Sequence, residues 1–161
     1  MQSEMDIVRR YTSENGVDLE AIFAVLGIEF KKEDLGNEVS GSLSFDGEKY
    51  CIKVNSSDGP QRQRFSAAHE LAHYMMHRHL LSNGDTLHRD RLFGAAAKGS
   101  PAAPFRPIHE VQANKLAAEI LMPSERLAAN YDQIKDNIAE LARSYQVSPA
   151  AMKIRLKNLG L

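Results

Sequence analysis

Two histidines four residues apart with a glutamate beside the first, His69, Glu70 and His73, are the residues of this chain best suited to chemistry. In a helix, side chains four apart lie nearly above one another, so both imidazoles can face a single point while Glu70 sits about 100° round, close beside it. Two nitrogens on one face make half of a tetrahedral zinc site, and a catalytic site needs three protein ligands and one open position, so the pattern asks for a third donor. His77 continues the series. A helix climbs about 6 Å over four residues, however, so three successive histidines cannot reach one tetrahedral ion, and His77 and His79 are read as solvated. Accidental copies of so short a motif are common, and exposed or internally hydrogen-bonded histidines are the alternative. Context favours metal: Phe65 to Met76 lacks Pro and Gly, Ala67, Ala68 and Ala72 keep the helix slim, and Phe65, Leu71, Met75 and Met76 offer apolar faces. Burying two imidazoles and a carboxylate there is costly without a partner, and a cation supplies one.

A second helix is predicted from Pro107 to Pro123, with Ala113, Leu116, Ala117 and Ile120 as its core stripe. Glu110 and Asn114 are again four apart, near that stripe. Glu110 is the candidate third donor, and Asn114 could hydrogen-bond the outer atom of a ligand and orient it. The bland alternative is a surface glutamate in a first helical turn, favoured there by the helix dipole. His109 is a rival ligand, turned about 100° away from Glu110.

The elements that must position these residues follow from periodicity. Residues 4–14 and 18–26 read as short helices, with Ile7, Val8 and Tyr11 on the first, Leu19, Ile22, Phe23 and Leu26 on the second, Asn15-Gly16 between them and Gly27 as a C-cap. Alternation of Val39, Gly41, Leu43 and Phe45, the Asp46-Gly47 turn, and alternation of Tyr50, Ile52 and Val54 predict an antiparallel hairpin, joined by a third strand at Ile28 to Lys31. Cys51 falls opposite Tyr50 and Ile52 and is read as a packing residue. Pro60 opens the motif helix, which is expected to run to about His79. Arg62 and Arg64 in its first turns are read as exposed, with a cleft-lining role for Arg64 the lesser alternative. Residues 81–107 carry turn chemistry and read as a substrate-facing loop with one short strand and poor order without a ligand. Beyond Pro123, a short helix opens at Ser124, another carries Ile134, Ile138, Leu141 and Ala142, and a last one, capped by Ser148-Pro149, carries Ala151, Ile154, Leu156 and Leu159. The last two resemble a helix-turn-helix. Residues 134–161 hold five basic against two acidic residues, a local +3, which allows DNA contact, but without an Arg-rich or aromatic face packing on the body is favoured.

Composition bounds the rest. With 161 residues, 43% hydrophobic, 25% charged and a net charge of -1, the chain reads as one globular domain without a polyanion partner. No apolar run approaches the roughly 18 residues of a membrane span, Met1 to Asp6 is not a secretory signal, and one cysteine excludes an internal disulfide. A cytoplasmic location without membrane contact is expected.

Arg62-x-Arg64-Phe65-x-x-Ala68-His69-Glu70-x-x-His73, followed by Glu110-x-x-Ala113-Asn114-x-x-Ala117-x-x-x-Leu121-Met122-Pro123, resembles the ImmA/IrrE metallopeptidases, and the likeness extends over the hairpin and the carboxyl-terminal helices. The resemblance departs in two places: the stretch between the two helices is longer, and the sensor domain of larger members has no counterpart in these residues. It implies a gluzincin-type zinc endopeptidase in which His69, His73 and Glu110 bind metal and Glu70 is the catalytic base, taking the proton of an attacking water and passing it to the leaving amine. Ligand type leaves iron, cobalt and manganese compatible with the set. A second oxyanion donor is open among Tyr131, His109, Arg89 and His88. The implied substrate is a helix-turn-helix repressor of the XRE type, whose cleavage would switch on stress or mobile-element genes. The rivals are a metal-binding regulatory or toxin-antitoxin component that acts without proteolysis, and a metal-free helical scaffold. The expected fold is α+β, a small antiparallel sheet packed on zincin-like helices, with residues 1–130 as the peptidase-like domain and 131–161 as a helical extension packed on it.

Overall fold

Glycine and proline punctuate the chain where their backbone preferences demand it. In the computed structural model, residues 2–81, 86–91, 105–134 and 136–161 are described, the backbone alone at residues 2, 86–91 and 134. Helix α1 (Gln2–Arg10) is shorter than the expected 4–14. Thr12 Oγ1 donates back to Val8 O, and β1 (Thr12–Ser13) turns at Asn15-Gly16 to pair antiparallel with β2 (Gly16–Val17), so turn chemistry overrides the apolar stripe. Asp18 then caps α2 (Leu19–Leu26), accepting from Ala21 N, and Gly27 ends it at φ 72°, a left-handed conformation suited to glycine.

The hairpin forms as expected: β4 (Val39–Phe45) pairs antiparallel with β5 (Tyr50–Asn55), with Leu43 opposite Ile52. The predicted third strand, β3 (Glu29–Glu33), joins the outer side of β5 in parallel. Strand β6 (Thr86–Arg91) pairs antiparallel with β4, giving the order β3-β5-β4-β6 and supplying the short strand expected within 81–107. For the rest of that stretch the expected loop and poor order lie on residues 82–85 and 92–104, outside those described, while Phe105 at its end is buried.

Helix α3 (Pro60–His77) lies across β4 and β5, its proline in the first turn, and a 3-10 turn (Arg78–Leu80) follows it. Arg62 and Arg64 are half-buried rather than exposed. Arg62 donates to Ser40 Oγ and Arg64 to Val17 O, so both tie the start of α3 to neighbouring strands. At the other end Arg78 pairs with Glu4 of α1 at 2.7 Å and lies over the Tyr74 ring. Helix α4 (Pro107–Leu121) packs along α3 through Ala113, Ala117 and Ile120. Small residues at that seam let the backbones approach.

Helices α5 (Ser124–Ile134), α6 (Ile138–Ser144) and α7 (Pro149–Asn158) complete the α+β architecture. Ser148 caps α7 by accepting from Ala151 N. The predicted inward face of α7 is partly reversed: Ile154 is 62% exposed, while Arg155 is buried, its Nε donating to Met122 O and its guanidinium pairing with Glu119 of α4. Gln61 of α3 donates to Val147 O between α6 and α7. The core joins the sheet, α3 and the carboxyl-terminal helices through Leu43, Ile52, Val54, Leu71, Ile120, Leu127, Leu141 and Met152. Among the described residues no helix is long and apolar enough to cross a membrane.

Candidate metal centre

Ten consecutive residues of α3, Ser66 to Met75, are buried, which puts both motif histidines and Glu70 inside the protein. Gly41 makes that depth attainable. A Cβ on Gly41 would meet Lys53 O and Ser66 Cβ at 3.3 Å and Glu70 Cγ at 3.4 Å, so the glycine lets the helix settle onto β4 directly beneath Glu70.

His69 and His73 converge as their spacing requires, with 3.1 Å between the two Nε2 atoms. Helix α4 brings Glu110 to both: Oε2 lies 3.1 Å from His69 Nε2, and Oε1 lies 3.2 Å from His73 Nε2. One ligand atom from each residue falls within 4.8 Å of the others. These contacts form a closed triangle of two imidazole nitrogens and a carboxylate. A proton can serve one edge of such a triangle at a time, whereas a central cation serves all three donors. Metal–nitrogen and metal–oxygen bonds of about 2.0–2.1 Å in a tetrahedron imply donor separations of about 3.3–3.4 Å, within a few tenths of an ångström of the distances here. The donor types and their spacing therefore fit a divalent ion such as zinc.

The rings are held from outside. Phe105 stacks on His73 with centroids 4.2 Å apart and planes 8° from parallel, and Phe65 stacks on His69 at 6.3 Å. His77, expected in solvent, is buried: Nδ1 lies 3.0 Å from His73 Nδ1, and Nε2 lies 2.8 Å from Gln112 Oε1. The helical-climb argument excludes His77 from the triangle but does not put it in water, because α4 covers it. Burial pushes the His77 imidazole below its ordinary pKa, against the opposing pull of the Gln112 hydrogen bond, and so favours the neutral ring. His79 is exposed, as expected.

Of the other candidates, His109 is engaged elsewhere, its Nδ1 accepting from Arg106 N at the start of α4. Asn114 is exposed on the wall of a groove of about 690 Å³ that begins one turn from the triangle, with Phe65, Ala118, Met122 and Ile154 also lining it. The outer nitrogen of His73 is met by His77. Tyr131 is half-buried on α5, and the side chains of His88 and Arg89 lie outside the described residues. Periodicity singled out neither Phe105 nor Gln112. The position of His77 one turn beyond His73 was the available signal for a third buried imidazole.

Residues 23–157 match the family described as IrrE N-terminal-like domain. The chain is similar to the radiation response metalloprotease IrrE of Deinococcus radiodurans, 29% identical over 140 residues that make up 84% of this chain and 39% of that protein. It is also similar to the radiation response metalloprotease IrrE of Deinococcus deserti, 33% identical over 110 residues, 65% of this chain and 35% of that protein. It thus spans well under half the length of either relative. With 135 of its residues inside the family match, a buried pair of motif histidines and a carboxylate closing the triangle from α4, this chain belongs to the IrrE N-terminal-like family of peptidases.

Proposed function

We propose that the protein is a zinc-dependent endopeptidase that cleaves a helix-turn-helix repressor of the XRE type and so releases stress or mobile-element genes from repression. The observation that carries the hydrolytic part is the triangle of His69, His73 and Glu110 beside a buried Glu70. A divalent metal there supplies Lewis acidity, making water a nucleophile near neutral pH and polarising the peptide carbonyl. His69 and His73 would hold the ion through their Nε2 lone pairs and Glu110 through a carboxylate oxygen. Glu70 takes a proton from water at a carboxylate oxygen and delivers it to the departing amine nitrogen. Phe105 lies flat on the His73 ring and fixes its plane, with Phe65 beside the ring of His69.

The repressor as substrate rests on the family resemblance, and the Glu110 side chain, 29% exposed, is the part of the triangle open to an incoming chain. The modest charge of residues 134–161 and the burial of Arg155 against Glu119 favour a role for α6 and α7 in the body of the protein over one on DNA. The test is incubation of the zinc-loaded protein with the small helix-turn-helix protein encoded nearest to it, with mass spectrometry locating new termini. Cleavage that disappears in Glu70→Gln while the metal content stays at one per chain supports the reading. A regulatory effect that survives in Glu70→Gln makes the protein a binder rather than a peptidase.

A further inference from the structure

Three histidines stack one per turn along α3, and the outermost has no place in the reaction outlined above. His77 Nε2 lies 2.8 Å from Gln112 Oε1. An amide oxygen only accepts, so the hydrogen in that contact sits on His77 Nε2. A neutral imidazole protonated there has a bare Nδ1, which can only accept. The hydrogen in the 3.0 Å contact between the two Nδ1 atoms therefore belongs to His73. His73 protonated on Nδ1 has a bare Nε2, the atom that faces His69 and Glu110.

We infer that Gln112 and His77 are positioning residues: together they hold His73 in the one neutral tautomer whose Nε2 lone pair is available to a metal ion. The inference rests on the metal-site reading and concerns ligand preparation rather than turnover. Its physical content is directional. A relay of two hydrogen bonds anchored on an acceptor leaves a single arrangement of protons, and a donor at position 112 reverses every step and places a proton on His73 Nε2. The relay also assigns α4 two separate holds on the histidine stack. Glu110 reaches His69 and His73, while Gln112, two residues on, reaches His77. Phe105 lies flat against His73 and tilted against His77, and His109 lies tilted against His77 with centroids 4.7 Å apart.

The metal-free protein labelled with nitrogen-15 at histidine tests this. Long-range proton–nitrogen spectra distinguish the tautomers, and His73 is expected to carry its proton on Nδ1. Zinc affinity, measured by competition with a chromophoric chelator, is expected to fall about 10–100-fold in His77→Leu, the usual effect of removing a partner of a metal-bound histidine, and by a smaller factor in Gln112→Leu, which acts through His77. His77→Asn, which keeps an acceptor near the Nδ1 position, is expected to recover most of the loss, a rescue that packing alone does not predict. Gln112 is half-exposed, so Gln112→Leu remains informative if His77→Leu unfolds. His73 protonated on Nε2 in the wild type, or unchanged zinc affinity in Gln112→Leu, overturns the inference. Neither readout depends on hydrolysis: a protein that binds zinc through the prepared histidine and cleaves nothing refutes the peptidase reading and leaves the relay standing.

Discussion

Helix α3 buries every residue from Ser66 to Met75, whereas α4 exposes Ile108 by 53% and Val111 by 62% and leaves the Glu110 side chain 29% exposed. Both helices donate to the same triangle, yet one is enclosed by the sheet and its neighbours and the other lies half in solvent. Enclosure suits the groups whose relative geometry must not change. His69, His73 and Glu70 share one rigid backbone, and burial in close-packed surroundings fixes their rotamers. Openness falls on the third side chain of the triangle, since Glu110 is 29% exposed against 2% and 0% for His69 and His73. Pre-organisation and access are thus divided between two helices, with small side chains at Ala113 and Ala117 keeping the seam tight.

The largest effect is expected at the most enclosed functional group. Glu70→Gln keeps shape and removes the proposed base, so turnover should fall by about 10²–10⁴-fold while zinc content and unfolding temperature stay near wild type. Steady-state kinetics on the identified substrate, alongside elemental analysis, measures both. Equal loss of metal and turnover would mean that Glu70 supports the fold rather than the chemistry, and the division between the helices would lose its basis. Next comes packing within α3. Leu71 is fully buried, and Leu71→Ala should cost about 2–5 kcal/mol in denaturant unfolding. Zinc adds a third, comparable effect across the seam. Ligands drawn from two helices bind metal in the folded chain only, so free zinc at a hundred times its Kd should stabilise the protein by about 2.7 kcal/mol, lost on adding a chelator.

That division was partly legible in the residues. The spacing of His69, Glu70 and His73 is a local property of one helix, and Pro60, Gly27, Asp46-Gly47 and Ser148 are local boundary signals that the structure places where expected. Features that depended on distant partners were not legible. Thr12–Ser13 left the helical stripe for a ladder with Gly16–Val17, and β3 chose the parallel side of β5. Arg155 turned inward because Glu119 and Met122 O, over thirty residues away, were there to receive it, and Ile154 turned outward as a consequence. His77 failed for the same reason. Helical geometry says which face it occupies, and only the docking of α4 says that the face is covered.

A smaller effect sharpens the comparison at the sheet. Gly41→Val should cost about 1–3 kcal/mol, since its side chain would meet Ser66 and Glu70 where even a Cβ is tight. If α3 is as rigid as its burial implies, the helix shifts as a unit, and activity falls by more than the stability loss accounts for, because Glu70 moves relative to the seam with α4. An activity loss explained by the unfolded fraction alone would show that the sheet, not the helix, yields.

The smallest effect is the counterpart of Leu71→Ala on the open helix. Val111 follows Glu110 directly but projects into solvent, so Val111→Ala removes two methyl groups that pack against little and also improves helix propensity. Its cost should stay within about 0.5 kcal/mol by denaturant unfolding. Measured with and without zinc, the pair separates two origins of order in α4. If α4 is held mainly by Ala113, Ala117 and Ile120 against α3, the Val111→Ala result is the same in both conditions. If instead metal binding is what seats the first turn, the metal-free protein is indifferent to the substitution and the zinc-loaded protein shows a weaker Kd, because any change in that turn is then felt through Glu110. The first outcome is expected, since Ala113, Ala117 and Ile120 are fully buried and hold α4 in place by packing.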